Sequence, residues 1–182
     1  IGQADVDAAV AEVEASYAGW IAPVYGCTGP DHCYYNPLAN TDDGSCIYAQ
    51  AGYGCDGNAL QIGDQHAGGI VFQINEDGTG LVADLQDLGT MVWDDAMDAA
   101  YFATSQGYYD WYLPSIEELE LMYNTIGYGG DNSSDFVENA YWSSSEPEYD
   151  EYTAWGLGFY PGGHPDTIDK FYHLRVRVVR DF

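Results

Sequence analysis

The chain has 182 residues and carries 30 Asp plus Glu against four Lys plus Arg, a formal net charge of -26 at pH 7. All four cations, Lys170, Arg175, Arg177 and Arg180, fall at the C-terminal end, which argues against nucleic acid as a partner and against an anionic membrane surface. With 15% aromatic residues, including 17 Tyr and five Trp, the composition is too apolar for a solvated tail, so the acidity belongs to a folded surface. Carboxylates at this density suit calcium-rich or saline surroundings. No apolar run reaches the roughly 18 residues of a membrane span. The chain opens on Ile1 without a basic start and apolar middle, and reads as the C-terminal piece of something longer.

Residues 1–22 are Ala-rich, and Val6, Val10, Val13, Tyr17 and Trp20 are spaced four, three, four and three apart. That is a heptad seam, and it predicts a coiled-coil stem helix. An isolated helix this short is marginal in water, so the stripe needs a cover; the competing reading is a short amphipathic helix docked on its own domain. The phrase QADVDAAVAEVEA is similar to the coiled-coil repeats of marine phage and bacterial fibre proteins. The resemblance implies a homo-oligomer, with a trimer the usual state.

Residues 23–62 lack helical or strand periodicity and hold all four cysteines, Cys27, Cys33, Cys46 and Cys55. No close Cys-x-x-Cys pair supports zinc, so the expectation is a disulfide-rich neck module in an oxidising compartment, with three pairings open. Asn36, Asn40, Asp42 and Asp43 beside Gly44 offer hard oxygens for calcium, without the alternation of an EF-hand. The competing reading is an Asx-type turn whose carboxylates cap backbone amides. Gly26-Cys27-Thr28, Tyr35-Asn36-Pro37, Ala39 and Asp42-Asp43-Gly44-Ser45-Cys46 resemble a short cysteine-bounded repeat of secreted marine bacterial and phage structural proteins. The resemblance implies that Cys27 pairs with Cys46, leaving Cys33 for Cys55.

Residues 63–182 alternate strands and helices, which predicts an α+β domain. GGIVFQI and LVADL flank an Asp77-Gly78 turn as a hairpin. TMVWDDAMDAAYFATSQG predicts a helix with Trp93, Ala96, Met97, Ala100 and Tyr101 on one face. LPSIEELELMYNTIG predicts a second, opened by a Ser115–Glu118 capping box and stopped at Gly127. AYWSSSE, TAWGLGFY and HLRVRVVRDF are the remaining strand candidates.

Gly68-Gly69-Ile70-Val71-Phe72, Gly80-Leu81-Val82-Ala83, Trp93, Asp110-Trp111, Leu113-Pro114-Ser115 and Glu117-Glu118-Leu119 resemble, in this order, the opening blocks of the Lcl C-terminal domain family. Tyr141-Trp142-Ser143-Ser144-Ser145-Glu146, Ala154-Trp155, Phe159 and the run from Arg175 to Arg180 match its closing blocks. The resemblance implies a C-type-lectin-like fold in which the first and last strands meet and bring GGIVF beside RVRVV. The family often carries Arg where this chain has Tyr112, and Cys where it has alanines such as Ala100 and Ala103.

Trp93, Trp111, Trp142 and Trp155 lie inside family blocks and read as core. Arg175 and Arg177 share a strand face and, with Arg180, read as partners of buried or interfacial carboxylates. The strongest ligand surface is the segment Glu146, Pro147, Glu148, Tyr149, Asp150, Glu151 and Tyr152, which combines carboxylates with rings able to stack on a sugar. The segment from Tyr160 to Phe171, with His164, Asp166 and Asp169, comes second, and 128–135 third. Ser143-Ser144-Ser145 has no nearby His to act as a base, so no catalytic residue is assigned. The expected protein is a non-enzymatic adhesion or receptor-binding tip, extracellular, on a cell surface or on a virion. It takes a surface glycan or protein, with calcium as an optional cofactor. The alternative is a structural subunit of a virion, sheath or filament.

Overall fold

The computed structural model describes residues 22–29, 32–130 and 136–182. The stem reading, apart from its last residue, and most of the 128–135 candidate lie outside these. The described fold is α+β, mostly sheet, with two helices and two disulfides.

The neck residues hold a two-stranded parallel pair, β1 (Tyr25–Gly26) with β2 (Thr41–Asp42). Two sheets follow. The first contains β3 (Gln65–His66), β4 (Gly69–Ile74) and β5 (Gly80–Asp84), joined by the terminal β11 (Val179–Asp181), in the order β11-β5-β4-β3. The second contains β6 (Gly89–Met91), β7 (Asn139–Trp142), β8 (Thr153–Phe159), β9 (Pro165–Asp169) and β10 (Leu174–Val176), in the order β6-β10-β7-β8-β9. Helices α1 (Trp93–Tyr101) and α2 (Ile116–Thr125) lie between β6 and β7 in sequence.

Hairpin β4–β5 forms where the Asp77-Gly78 turn predicts it: Asp77 Oδ1 accepts from the Thr79 amide, and Gly78 takes a positive φ of 86°. Both faces of this hairpin are covered. Ile70, Phe72, Leu81 and Ala83 pack with Leu119, Met122 and Ile126 of the α2 side. Val71 and Val82 pack on the opposite side with Trp93, Ala96 and Ala100 of α1. That double burial explains why the sequence reads as continuous apolar runs instead of an alternation.

The terminal strand does not lie beside GGIVF. β11 pairs with β5, and β4 sits one strand further in because its other edge is taken by β3. Nor is HLRVRVVRDF one strand. It breaks at Arg177 and Val178, so that β10 serves the five-stranded sheet and β11 the four-stranded one.

The second helix matches its punctuation. Ser115 Oγ accepts from the Glu118 amide at 3.2 Å, and Glu118 Oε2 accepts from the Ser115 amide at 2.8 Å, the reciprocal pair of a capping box. A Cβ at Gly127 would approach the Tyr123 backbone to 2.9 Å and the Phe159 ring to 3.0 Å, so close packing demands glycine there. The first helix is shorter than predicted. Its buried residues are Trp93, Ala96 and Ala100, whereas Met97 and Tyr101 face outward, Tyr101 at 76% exposure. The small alanines bring the helix close to the sheet and leave no depth for the larger side chains.

Candidate functional site

The sheets are braced by buried polar anchors. Arg177 is buried and donates from Nε to Asp87 Oδ1 at 2.6 Å and from a terminal nitrogen to the Asp84 carbonyl at 2.8 Å. Asp87 also accepts from the Tyr141 hydroxyl at 2.9 Å and lies 3.5 Å from Arg175. Arg175 in β10 and Arg177 just past it therefore share one carboxylate. Burial and the Asp87 charge push the Tyr141 hydroxyl well above the usual tyrosine range.

Arg180 makes a two-pronged pair with Asp110, at 2.7 and 2.8 Å, donates to the Ala67 carbonyl at 3.0 Å, and stacks over the Tyr108 ring at 3.9 Å. All four Lys and Arg of the chain are engaged with carboxylates of the chain itself. The reading of the arginines as carboxylate partners is what the geometry shows.

The Arg180 guanidinium holds the Asp110 carboxyl below the usual range. Because the folded carboxyl gives up its proton more readily than the unfolded one, the pair stabilises the fold above the ordinary carboxylate range. That contribution is lost as pH falls below it. Asp84 runs the other way, since burial raises its carboxyl despite the Ser105 hydroxyl at 2.8 Å. We expect Asp110→Asn to lower the urea midpoint modestly near neutral pH, since Asp110 is 57% exposed in its side chain. The gap from wild type should close at about pH 2; a gap that persists there contradicts the linkage.

Of Trp93, Trp111, Trp142 and Trp155, three are structural. The ring N–H groups of Trp93, Trp111 and Trp142 donate to the carbonyls of Ser143, Ser105 and Met91 at 2.8, 3.0 and 2.9 Å. Trp155 is only half-buried. Tyr112, where the family often has arginine, donates its hydroxyl to Glu118 Oε1 at 3.0 Å, so the phenol reaches the same carboxylate that closes the capping box.

The serine run is likewise committed to structure. Ser143 Oγ donates to the Trp155 carbonyl at 2.8 Å, the Ser144 amide to the Pro114 carbonyl at 2.8 Å, and Ser145 Oγ accepts from the Ile116 amide at 3.0 Å. This last bond satisfies a free amide at the start of α2 and fixes the point where the 146–152 loop leaves the sheet.

That loop is clamped at its base. The Trp155 amide donates to the Ser145 carbonyl at 2.9 Å and the Lys170 amide to the Tyr152 carbonyl at 3.0 Å. Lys170 pairs with Glu146 while its ammonium lies 4.1 Å from the centre of the Trp93 ring, a cation–π contact. Beyond the clamp, Glu146, Pro147, Glu148, Tyr149, Asp150, Glu151 and Tyr152 line an open concavity of about 630 Å³. Tyr149 is 90% exposed and Tyr152 67%.

His164 and Asp166 are not brought to this loop. β8 and β9 are antiparallel with Thr153 opposite Asp169 and Leu157 opposite Pro165, which puts His164 at the far end of the hairpin, roughly 17 Å away at the rise of a strand. Asp166 Oδ1 accepts from the Thr167 amide. The register instead delivers Lys170 and the exposed rings of Phe171 and Tyr172 to the clamped end. Sequence reasoning held Lys170 and Phe171 only as the end of the 160–171 candidate and missed Tyr172; the signal for joining them to this loop was the pairing of TAWGLGF with PDTID.

In the neck, Cys27 is bonded to Cys46 and Cys33 to Cys55, the pairing that the cysteine-repeat resemblance implies. Asn36, Asp42 and Asp43 each accept from an amide two residues on, at 3.0, 2.9 and 2.9 Å, which is the Asx-turn geometry. Ser45 holds the Asp43 carboxyl below the usual range. Asn40 accepts from the Val24 amide at 2.8 Å and donates to the Ala22 carbonyl at 3.1 Å. Among the described residues, the one set of three metal-type donors within mutual reach is Cys27, His32 and Cys46, and its two sulfurs are joined to each other.

This arrangement defines an α+β head with a clamped, acidic and aromatic loop, set after a disulfide-bonded neck. Residues 66–180 match the Lcl C-terminal domain, well over half of the chain, and the chain belongs to that family. Among curated proteins no match is found.

Proposed function

We propose that this chain is a non-enzymatic adhesion or receptor-binding tip of an extracellular or virion-borne fibre. Its loop 146–152 takes a surface glycan or protein. The observation that carries this reading is the contrast at that loop. Its base is fixed by Ser145, Trp155 and Lys170, while its carboxylates and the Tyr149 and Tyr152 rings stand in solvent. A rigid base with exposed aromatic and polar groups lets a ligand bind without paying to order the loop. The serine hydroxyls a hydrolase would use are spent on the backbone, which favours a binding role.

The same proposal takes 63–182 as a C-type-lectin-like head, 23–62 as a cysteine-repeat neck and 1–22 as a coiled-coil stem that makes the protein a homo-oligomer, in the usual fibre case a trimer. Supporting the lectin-like reading, the last strand shares a sheet with the first strands of the head, two helices flank it, and a second sheet presents the loop. Weak single sites then gain strength by multivalency.

The structural-subunit reading is favoured by the apolar side chains exposed on the neck, Leu38 at 77% among them. Removing the head from the full fibre or particle separates the two. Lost attachment with intact assembly supports the adhesive tip; failed assembly supports the structural subunit.

A further inference from the structure

We infer that the neck has a second state: in the reduced chain, a zinc ion held by Cys27, His32 and Cys46 takes the place of the Cys27–Cys46 disulfide.

A tight turn assembles the ligand set. The His32 amide donates to the Gly29 carbonyl at 3.1 Å, and the same carbonyl lies 3.7 Å from the Cys27 sulfur. A Cβ at Gly29 would meet His32 Nδ1 at 2.2 Å, so glycine is what lets the imidazole lie back against the turn. Tyr48 steadies that ring, with the two ring centres 3.9 Å apart. One nitrogen of His32 and the sulfurs of Cys27 and Cys46 then lie within 4.8 Å of one another. A tetrahedral zinc with bonds of about 2.3 Å to sulfur and about 2.0 Å to nitrogen sets its ligand atoms about 3.6 to 3.8 Å apart. Once their mutual bond is broken, the two sulfurs need only part to that distance.

Two further observations point to a metal. His32 Nδ1 is buried and has no hydrogen-bond partner among the described residues. An unspent buried nitrogen is a costly exception, and a metal ion resolves it, since imidazole nitrogen is a common metal ligand. Cys27 and His32 are also separated by four residues, within the spacing of paired zinc ligands. The Cys33–Cys55 disulfide has no such neighbour, for no other set of three donors stands within reach among the described residues. Two sulfurs and one imidazole select zinc over a hard cation such as calcium, and water completes the tetrahedron.

The exchange balances. A thiol reductant supplies two electrons and two protons and leaves as its own disulfide, and the Cys27–Cys46 bond becomes two thiols. Zn2+ then releases both thiol protons to water and binds the two thiolates and the imidazole, with no change in oxidation state. This state belongs to a compartment that keeps thiols reduced. There it holds together a neck whose buried apolar side chains, among the described residues, are those of Cys27 and Cys33.

The test is anaerobic Co2+ titration of the full chain, reduced with a water-soluble phosphine that leaves as its oxide, followed by displacement with Zn2+. Visible d–d absorption reports tetrahedral coordination, and the intensity of the near-ultraviolet charge-transfer band counts thiolates. Wild type is compared with Cys27→Ser/Cys46→Ser, with Cys33→Ser/Cys55→Ser and with His32→Ala. The expected result is a single tetrahedral Co2+ with a pair of thiolates in the reduced wild-type chain and in Cys33→Ser/Cys55→Ser. Binding should vanish in Cys27→Ser/Cys46→Ser and weaken at least about tenfold in His32→Ala. Should Cys33→Ser/Cys55→Ser disturb the neck, the thiolate count in wild type still decides, since four thiolates would overturn the assigned set. No tetrahedral Co2+ in the reduced wild-type chain, binding that survives without Cys27 and Cys46, or an affinity unchanged in His32→Ala likewise overturns the site.

Discussion

Replacing Asp87 with alanine lowers the unfolding free energy by about 3–5 kcal/mol, the cost of leaving a buried charge without its partner. Arg177 is 3% exposed, and its side chain meets Asp87 at 2.6 Å. Removing the carboxylate strands the guanidinium in a low-dielectric interior with the Asp84 carbonyl as its remaining acceptor. It also deprives the Tyr141 hydroxyl of its acceptor at 2.9 Å. The loss falls at the crossing where the chain passes from the five-stranded to the four-stranded sheet, so both sheets feel it. A urea titration checks this. The midpoint should drop sharply while the slope stays near wild type, and a drop of under about 1 kcal/mol, the scale of an exposed ion pair, would remove Asp87 from this central position.

The second large effect is confined to the neck. Cys27→Ser with Cys46→Ser opens a loop of sequence separation 19, which the chain-entropy model values at about 3 kcal/mol. The neck buries little besides its cysteines, so it has no apolar reserve to offset the loss. The head has two buried clusters of its own and should stay folded. Hydrogen exchange on the variant is expected to show protection collapsing over 22–62 while the strands of 66–180 remain slow. Unchanged neck protection would show that something other than the disulfides holds it.

Local signals in the sequence carried the local structure. The Ser115–Glu118 box and the Asp77-Gly78 turn each involve residues two or three apart, so the α2 start and the β4–β5 hairpin were legible before any fold was known. The features that were not legible depend on partners far along the chain. Arg177 interrupts an otherwise regular strand pattern because Asp87, ninety residues earlier, holds it. The pairing of β11 with β5 instead of β4 follows from β3 already occupying the β4 edge, a competition no single segment reveals. Met97 and Tyr101 sit at helical spacing with the buried face yet project outward, because Ala96 and Ala100 set the packing distance.

The candidate site divides in the same way. The 146–152 loop was marked by its own composition, whereas Lys170, Phe171 and Tyr172 join it only through the β8–β9 register. Asn40 was legible as a polar residue with spare oxygens, and its actual task, holding the chain at Ala22 and Val24, depends on where the neck strand runs.

The most direct measurement of the adhesive-tip reading is binding of the full chain to a glycan array and to intact cell surfaces, with and without EDTA, beside a Tyr149→Ala and Tyr152→Ala variant. Both rings are exposed, so the variant should keep its urea midpoint. The account predicts binding by the wild-type chain and its loss in the variant, with the EDTA arm reporting whether calcium takes part. A variant that binds as well as wild type, or a wild-type chain that binds neither glycans nor cell surfaces, would contradict it.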